Sequence, residues 1–124
     1  MSMRKGKMIA QGCHASMKVF FDRGHFVELA SLIGDPKVEK MEILLTECMS
    51  EWAKGTFTKI CLQVESEEEL KALYAKAKEQ GLPCSIIVDS GFTEFNGLPT
   101  TTCCAIGPAL SEDIDRITGT LKLL

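Results

Sequence analysis

The sequence has no C-x-x-C pair, no glycine-rich phosphate loop, no dinucleotide-binding fingerprint and no G-x-S-x-G turn around a nucleophilic serine. Zinc ribbons, P-loop enzymes, Rossmann dehydrogenases and serine hydrolases of that type are thereby set aside. No apolar run approaches the roughly 20 residues needed to cross a bilayer. The opening Met1-Ser-Met-Arg-Lys-Gly-Lys7 lacks the apolar segment of a signal peptide, so a cytoplasmic protein is expected. Six cysteines, Cys13, Cys48, Cys61, Cys84, Cys103 and Cys104, sit inside apolar segments and read as buried, reduced thiols rather than a disulfide framework.

What is present fits one soluble domain: 124 residues, 45% hydrophobic and 25% charged. The net charge of −3 argues against a chain that grips nucleic acid over its whole surface. The charge is unevenly placed. Residues 1–37 carry six Lys/Arg against three acids, a net of +3, which leaves −6 on the remaining 87 residues. A basic face on an acidic body suits a phosphate-bearing ligand held at one place, and equally suits a solvated terminus at Arg4-Lys5-Gly6-Lys7.

The apolar pattern predicts four helices and three strands, without internal repeats. The first helix runs from Lys7 to Phe21, with Ile9, Cys13, Met17 and Phe20 as its apolar face and Lys7, Gln11, His14 and Lys18 as a polar ridge on the other side. Asp35-Pro36 reads as the start of a second helix, which Val38, Met41, Leu45, Cys48 and Trp52 continue until Gly55. A strand is expected over Thr58-Lys-Ile-Cys-Leu-Gln-Val64, followed by a capping box, Ser66-Glu-Glu-Glu69, that opens a third helix ending at Gly81. Cys84-Ser-Ile-Ile-Val-Asp89 reads as a strand buried on both faces. A loop over 90–99, a strand over 101–106, the Gly107-Pro108 break and a short helix over 112–118 complete an α/β pattern, whose ligands are expected beyond the strand ends.

Two groups of residues carry possible chemistry. The ridge of Lys7, Gln11, His14 and Lys18 gathers donors and one titratable ring that can hold phosphate or ribose oxygens, or simply face solvent. Asp89, ending a strand before Ser90-Gly91, is placed to accept a proton or orient water, or to cap backbone N–H groups of its loop. Thr93, Thr100, Thr101 and Thr102 can bond a ligand or merely occupy β structure. Cys13 beside His14 is not a nucleophile and base, because neighbours on a helix diverge by about 100°. Cys103-Cys104 is no metal site, since adjacent strand residues point to opposite faces.

Arg4-Lys-Gly-Lys-Met-Ile-Ala-Gln-Gly-Cys-His-Ala15 resembles the M-x-x-G-K-x-A-A-Q-C-S-H-A signature of peptidyl-tRNA hydrolases of the second type, the mainly archaeal and eukaryotic class. Four more segments agree in order. Glu65-Ser-Glu-Glu-Glu-Leu70 is similar to that family's D-S-E-E-E-L, Asp89-Ser-Gly-Phe-Thr-Glu94 to its D-A-G-R-T-Q loop, and Thr100-Thr-Thr-Cys-Cys-Ala-Ile-Gly-Pro108 to its T-x-T-x-x-A-I-G-P strand. The ending Asp115-Arg-Ile-Thr-Gly-Thr-Leu-Lys-Leu-Leu124 resembles its D-x-V-T-G-x-L-K-L-L.

The resemblance implies hydrolysis of the ester between a peptide and the terminal ribose of tRNA, with no cofactor and no metal. It implies a compact α/β homodimer whose small mixed sheet is flanked by helices in three layers. Carried over by motif position, Asp89, His14, Lys7, Thr93 and Thr100 would be catalytic and Gln11 would bind substrate; Lys18 and Lys5 of the basic first segment, and Phe92 in place of the family's arginine, are expected to bind substrate as well. Lys7 and Lys18 would meet phosphate, Thr93 and Thr100 would bond the ester or ribose, and Asp89 would either deprotonate or position water. Phe92 and Glu94 stand where the family has arginine and glutamine, and Gly12-Cys13 where it has Cys-Ser. The family's first strand, ahead of its M-x-x-G-K motif, is expected to be missing. A non-catalytic RNA- or protein-binding member of the same fold is the alternative, and a hydrolase of another small ester a third reading.

Overall fold

The computed structural model describes residues 3–29, 37–91 and 97–124. The elements are α1 (Lys5–Phe21), β1 (Gly24–Leu29), β2 (Val38–Ile43), α2 (Glu47–Lys54), α3 (Glu67–Glu79), β3 (Cys84–Asp89), β4 (Thr100–Ile106) and α4 (Ser111–Thr118). Helices and strands share one small α/β domain, as expected. The expected mixed sheet is represented, among the described residues, by two antiparallel two-stranded sheets, β1–β2 and β3–β4. Both α1 and α3 lie against β3–β4, and α4 lies on α3.

Local signals that need no distant partner are realised as read. Ser66 caps α3 by accepting a hydrogen bond from the Glu69 backbone N–H at 3.1 Å, and Glu69 Oε2 accepts one from the Glu65 N–H at 3.0 Å. Glu67, Glu68 and Glu69 fill the first turn and Lys76 and Lys78 the last, which complements the helix dipole. Leu70 and Ala77 are its buried residues.

The expected helix from 38 to 55 is corrected. Val38–Ile43 is a strand, paired with a strand, Gly24–Leu29, that the sequence reading did not contain. In this hairpin Phe26 lies opposite Met41 and Leu29 opposite Val38. A short apolar segment fits both periodicities, and only the cross-strand partners decide between them. The helix starts at Glu47, where Thr46 supplies the cap by accepting from the Met49 N–H at 3.1 Å. Asp35-Pro36 lies outside the described residues. The expected strand over 58–64 is likewise corrected to an extended segment, joined to the chain end by one antiparallel bridge, Leu62 to Leu123.

The apolar face assigned to the first helix is also reversed. Gln11, Ala15 and Val19 are the buried residues of α1, while Ile9 is 68% exposed. The surface that α1 meets is itself polar: Ser85 of β3 donates to the Ala15 carbonyl at 2.6 Å. A small, polar-tolerant stripe therefore packs inward and Ile9, Cys13 and Met17 face out. Phe20 is the exception, stacked on Trp52 of α2 at 5.6 Å between ring centroids. β3 is not buried on both faces either, because Val88 is exposed. The cysteines are all free, but Cys13 and Cys61 are exposed and none is fully buried.

Candidate active site

The last residue of β3 is where the polar side of α1 meets the sheet. Ser85, Ile87 and Asp89 alternate onto one face of β3, and α1 crosses that face with Ala15 over Ser85 and Lys7 and Gln11 over Asp89. Lys7 and Gln11 are four residues apart, so one helical turn brings both to the same carboxylate. Lys7 Nζ lies 2.6 Å and Gln11 Nε2 2.8 Å from Asp89 Oδ2. The Gly91 N–H donates to Oδ1 at 2.7 Å. Gly91 holds φ near +86°, and a Cβ there would overlap the Leu98 backbone, so the turn that delivers this N–H requires glycine.

Three donors on one carboxylate favour its charged form. The Lys7 hydrogen bond first, then the Gly91 N–H, hold Asp89 below its ordinary value, with Gln11 adding to them and desolvation opposing. The pair is largely shielded from solvent, with 15% of the Lys7 and 11% of the Asp89 side chain exposed. An ionised, hydrogen-bonded carboxylate of this kind is a weak base but a firm acceptor.

Gln11 is held from both ends. It is 4% exposed, its Oε1 accepts from Thr102 Oγ1 at 3.1 Å and its backbone carbonyl accepts from the Cys103 thiol at 3.1 Å. Burial pushes the Cys103 thiol up, which keeps it a donor. Thr102 reaches Gln11 because β4 carries one extra residue: Ile87 pairs with Cys103 and Val88 with Thr101, leaving Thr102 bulged between them. The threonine run was visible in the sequence, but the bulge that turns this member toward α1 was not.

Thr100 lies opposite Asp89 in the ladder, and its hydroxyl donates to the Leu98 carbonyl at 3.0 Å. Glu67, which the sequence reading did not single out, accepts the Thr101 N–H at 3.0 Å. That bond, and then Lys71, lower its pKa, and it ties the start of α3 to β4. The rest of the expected ridge is dispersed. His14 is exposed and Lys18 Nζ pairs with Asp22 Oδ1 at 2.9 Å, while Lys5, which was not part of the ridge, is exposed on the first turn of α1. His14 and Lys18 border an open groove of about 350 Å³ with Met17, Phe21 and Ile87. Phe92, Thr93 and Glu94 lie outside the described residues. Among the described residues no group of three or more His, Cys, Asp or Glu is placed to hold a metal ion.

The arrangement can polarise a carbonyl with an ammonium group and orient a water on a carboxylate, the needs of ester hydrolysis. Comparison with known proteins agrees with this chemistry. Peptidyl-tRNA hydrolases of Methanocaldococcus jannaschii, Aeropyrum pernix and Sulfolobus acidocaldarius are 40%, 37% and 36% identical to the chain over 124, 123 and 124 residues. The matches cover 99% or more of this chain and 91%, 87% and 92% of those proteins. The profile of the family described as Peptidyl-tRNA hydrolase PTH2 matches residues 1–124, and the chain belongs to that family.

Proposed function

We propose that this protein hydrolyses the ester joining a peptide to the 3′-terminal ribose of tRNA, returning the tRNA to translation. The observation that carries the reading is the Asp89 carboxylate held by Lys7, Gln11 and the Gly91 N–H at one end of the sheet. Family membership supports the same conclusion.

In this reading Asp89 accepts a hydrogen bond from the attacking water and aims its lone pair at the ester carbonyl. Asp89 also keeps Lys7 charged and in place. The Lys7 ammonium stabilises the oxyanion of the tetrahedral intermediate. As the intermediate collapses, the bond to the ribose oxygen breaks and that oxygen leaves with the proton surrendered by the water. Gln11, fixed by Thr102, keeps the carboxylate from rotating. Thr93 and Thr100 bond the ester or ribose, Phe92 stacks on the terminal base, and Lys5 meets phosphate. His14 and Lys18 contact the substrate from the groove beside the carboxylate.

The same reading makes the enzyme a homodimer of the cytoplasm. Its free cysteines support a reducing compartment, and the outward Ile9 of α1 and Phe26 of the β1–β2 hairpin support self-association. No helix of the described residues is long and apolar enough to cross a membrane.

Release of N-acetyl-aminoacyl groups from tRNA, set against unblocked aminoacyl-tRNA, tests the activity. The blocked substrate should be the faster. A folded protein that releases neither would overturn the reading.

A further inference from the structure

The carboxylate stands between two unlike surfaces. Towards the start of α1, beyond Lys7, comes the exposed Lys5. In the other direction the same helix and β3 enclose the groove lined by His14, Met17, Lys18, Phe21 and Ile87. Ile87 lies two residues before Asp89 on the same strand face, so the groove opens directly from the reacting position. On α1 the distance from Gln11 to His14 is about 4.5 Å and from Gln11 to Phe21 about 15 Å, at a rise of about 1.5 Å per residue. The groove thus begins one turn from Gln11 and runs for two more.

Its character is apolar. Met17 and Phe21 are 53% and 47% exposed, which leaves their side chains available to a ligand, and Ile87 forms the floor. The one formal charge among the lining residues, Lys18, is engaged by Asp22 at 2.9 Å in a half-exposed pair at the groove's edge. Phosphate recognition rests on cations that are not already balanced. An apolar, methionine-containing surface instead suits side chains of varied shape. At about 350 Å³ the groove is at the small end of ligand sites, which span roughly 300–1,000 Å³, with room for one or two side chains.

We propose that the groove formed by Met17, Phe21 and Ile87 receives the side chain of the amino acid esterified to the tRNA, making these residues determinants of acyl specificity. The inference rests on the hydrolase reading above. The two halves of the substrate then part at Asp89 in opposite directions, polyanionic RNA over the basic start of α1 and peptide into the groove. Large apolar acyl residues gain from burial there, and small or acidic ones do not.

The test compares N-acetyl-leucyl, N-acetyl-phenylalanyl, N-acetyl-glycyl and N-acetyl-aspartyl esters carried on one and the same tRNA. The parent protein should favour the leucyl and phenylalanyl esters by about 10-fold in kcat/KM, the lower range for apolar pocket discrimination. Met17→Ser combined with Phe21→Ser should bring that ratio near one, while Met17→Leu retains it. Both substituted positions are half exposed, and thermal melts check that the variants stay folded. Affinity for deacylated tRNA should be the same in parent and double variant.

Equal rates on all four esters in the parent protein, or an undiminished preference in the double variant, would overturn the assignment. So would a double variant that loses affinity for deacylated tRNA, which would give the groove to RNA. Failure of the hydrolase reading looks different, since no ester would then be cleaved by the parent protein.

Discussion

Thr102 Oγ1 donates to Gln11 Oε1 at 3.1 Å, and this bond anchors the end of the Gln11 amide that faces away from Asp89. With Oε1 engaged, Nε2 is the group left to meet the carboxylate, at 2.8 Å. Thr102→Val keeps the shape of the side chain and removes the donor. Gln11 then loses the anchor on its oxygen, and its Nε2 hydrogen bond to Asp89 is held less firmly. A fall of about 10-fold in kcat is expected, with about 1 kcal/mol of stability lost for the missing hydrogen bond. Thr102→Ser should restore both, and kinetics with thermal melts of the two variants decide the matter.

Asp89→Asn tests the centre of the mechanism. The amide keeps the size of the side chain but holds neither the water nor Lys7 as a carboxylate does. Turnover should drop by about 100-fold or more, with tRNA affinity little changed. Full activity in a folded Asp89→Asn protein would remove this residue from the reaction.

The pH dependence follows from the sign of the Asp89 shift. Its folded pKa is depressed below the ordinary 3.8, chiefly by the Lys7 hydrogen bond. The stability it contributes is therefore fully present well above the ordinary 3.8, begins to fall as the unfolded chain's carboxyl protonates near that value, and is lost as the pH drops through the folded value. Activity should be insensitive to Asp89 titration from neutrality down to about pH 4, and stability down to about pH 5. In Lys7→Met the largest cause of the shift is gone, so the acid limb of kcat, measured on whatever activity remains, should move up toward the ordinary carboxylate range. An acid limb at the same pH in both proteins would mean that another group controls it.

These expectations rest on contacts of different legibility. Asp89 at a strand end and Lys7 and Gln11 one turn apart on a helix are read from spacing, because each depends on a single element. The approach of the two elements, 78 residues apart from Gln11 to Asp89, came only with the family resemblance. Thr102 depends on a bulge, a departure from the regular alternation on which strand reading relies. The outward Ile9 and inward Gln11 were misread for a related reason. A hydrophobic stripe predicts the buried face when the opposing surface is apolar, but here that surface offers Ser85 and Asp89. The β1–β2 hairpin was lost to the ambiguity of Val38-Glu-Lys-Met-Glu-Ile43, whose apolar residues suit either period.

Gly91 links backbone conformation to the same carboxylate. Its N–H is one of the three donors on Asp89, and its carbonyl accepts from the Gly97 N–H at 2.9 Å, closing the loop that follows β3. Gly91→Ala places a methyl group at a positive φ against the Leu98 backbone. Because the loop must shift to admit it, stability should fall by about 1–3 kcal/mol, the cost of such strain. The same shift withdraws the N–H from Asp89, so kcat should fall with the melting temperature. A variant that melts earlier but turns over at the parental rate would show that the Gly91 bond is structural only.

Lys5 and Lys18 both belong to α1, yet their surroundings predict different effects on RNA binding. Lys18 is already balanced by Asp22 four residues on, whereas the described residues show no ion pair for Lys5. Each phosphate contact contributes nearly one unit to the slope of log affinity against log salt. Lys5→Ala should therefore weaken tRNA binding and flatten that slope by up to ~1, uniformly across tRNA sequences. Lys18→Ala should change the slope much less, because it also frees Asp22 without removing a phosphate contact. Its effect should appear instead in KM for esters with large apolar acyl groups, whose groove it borders. Titrations of deacylated tRNA across a range of salt concentrations separate the two cases, and equal slopes for Lys5→Ala and the parent protein would move the RNA path away from the start of α1.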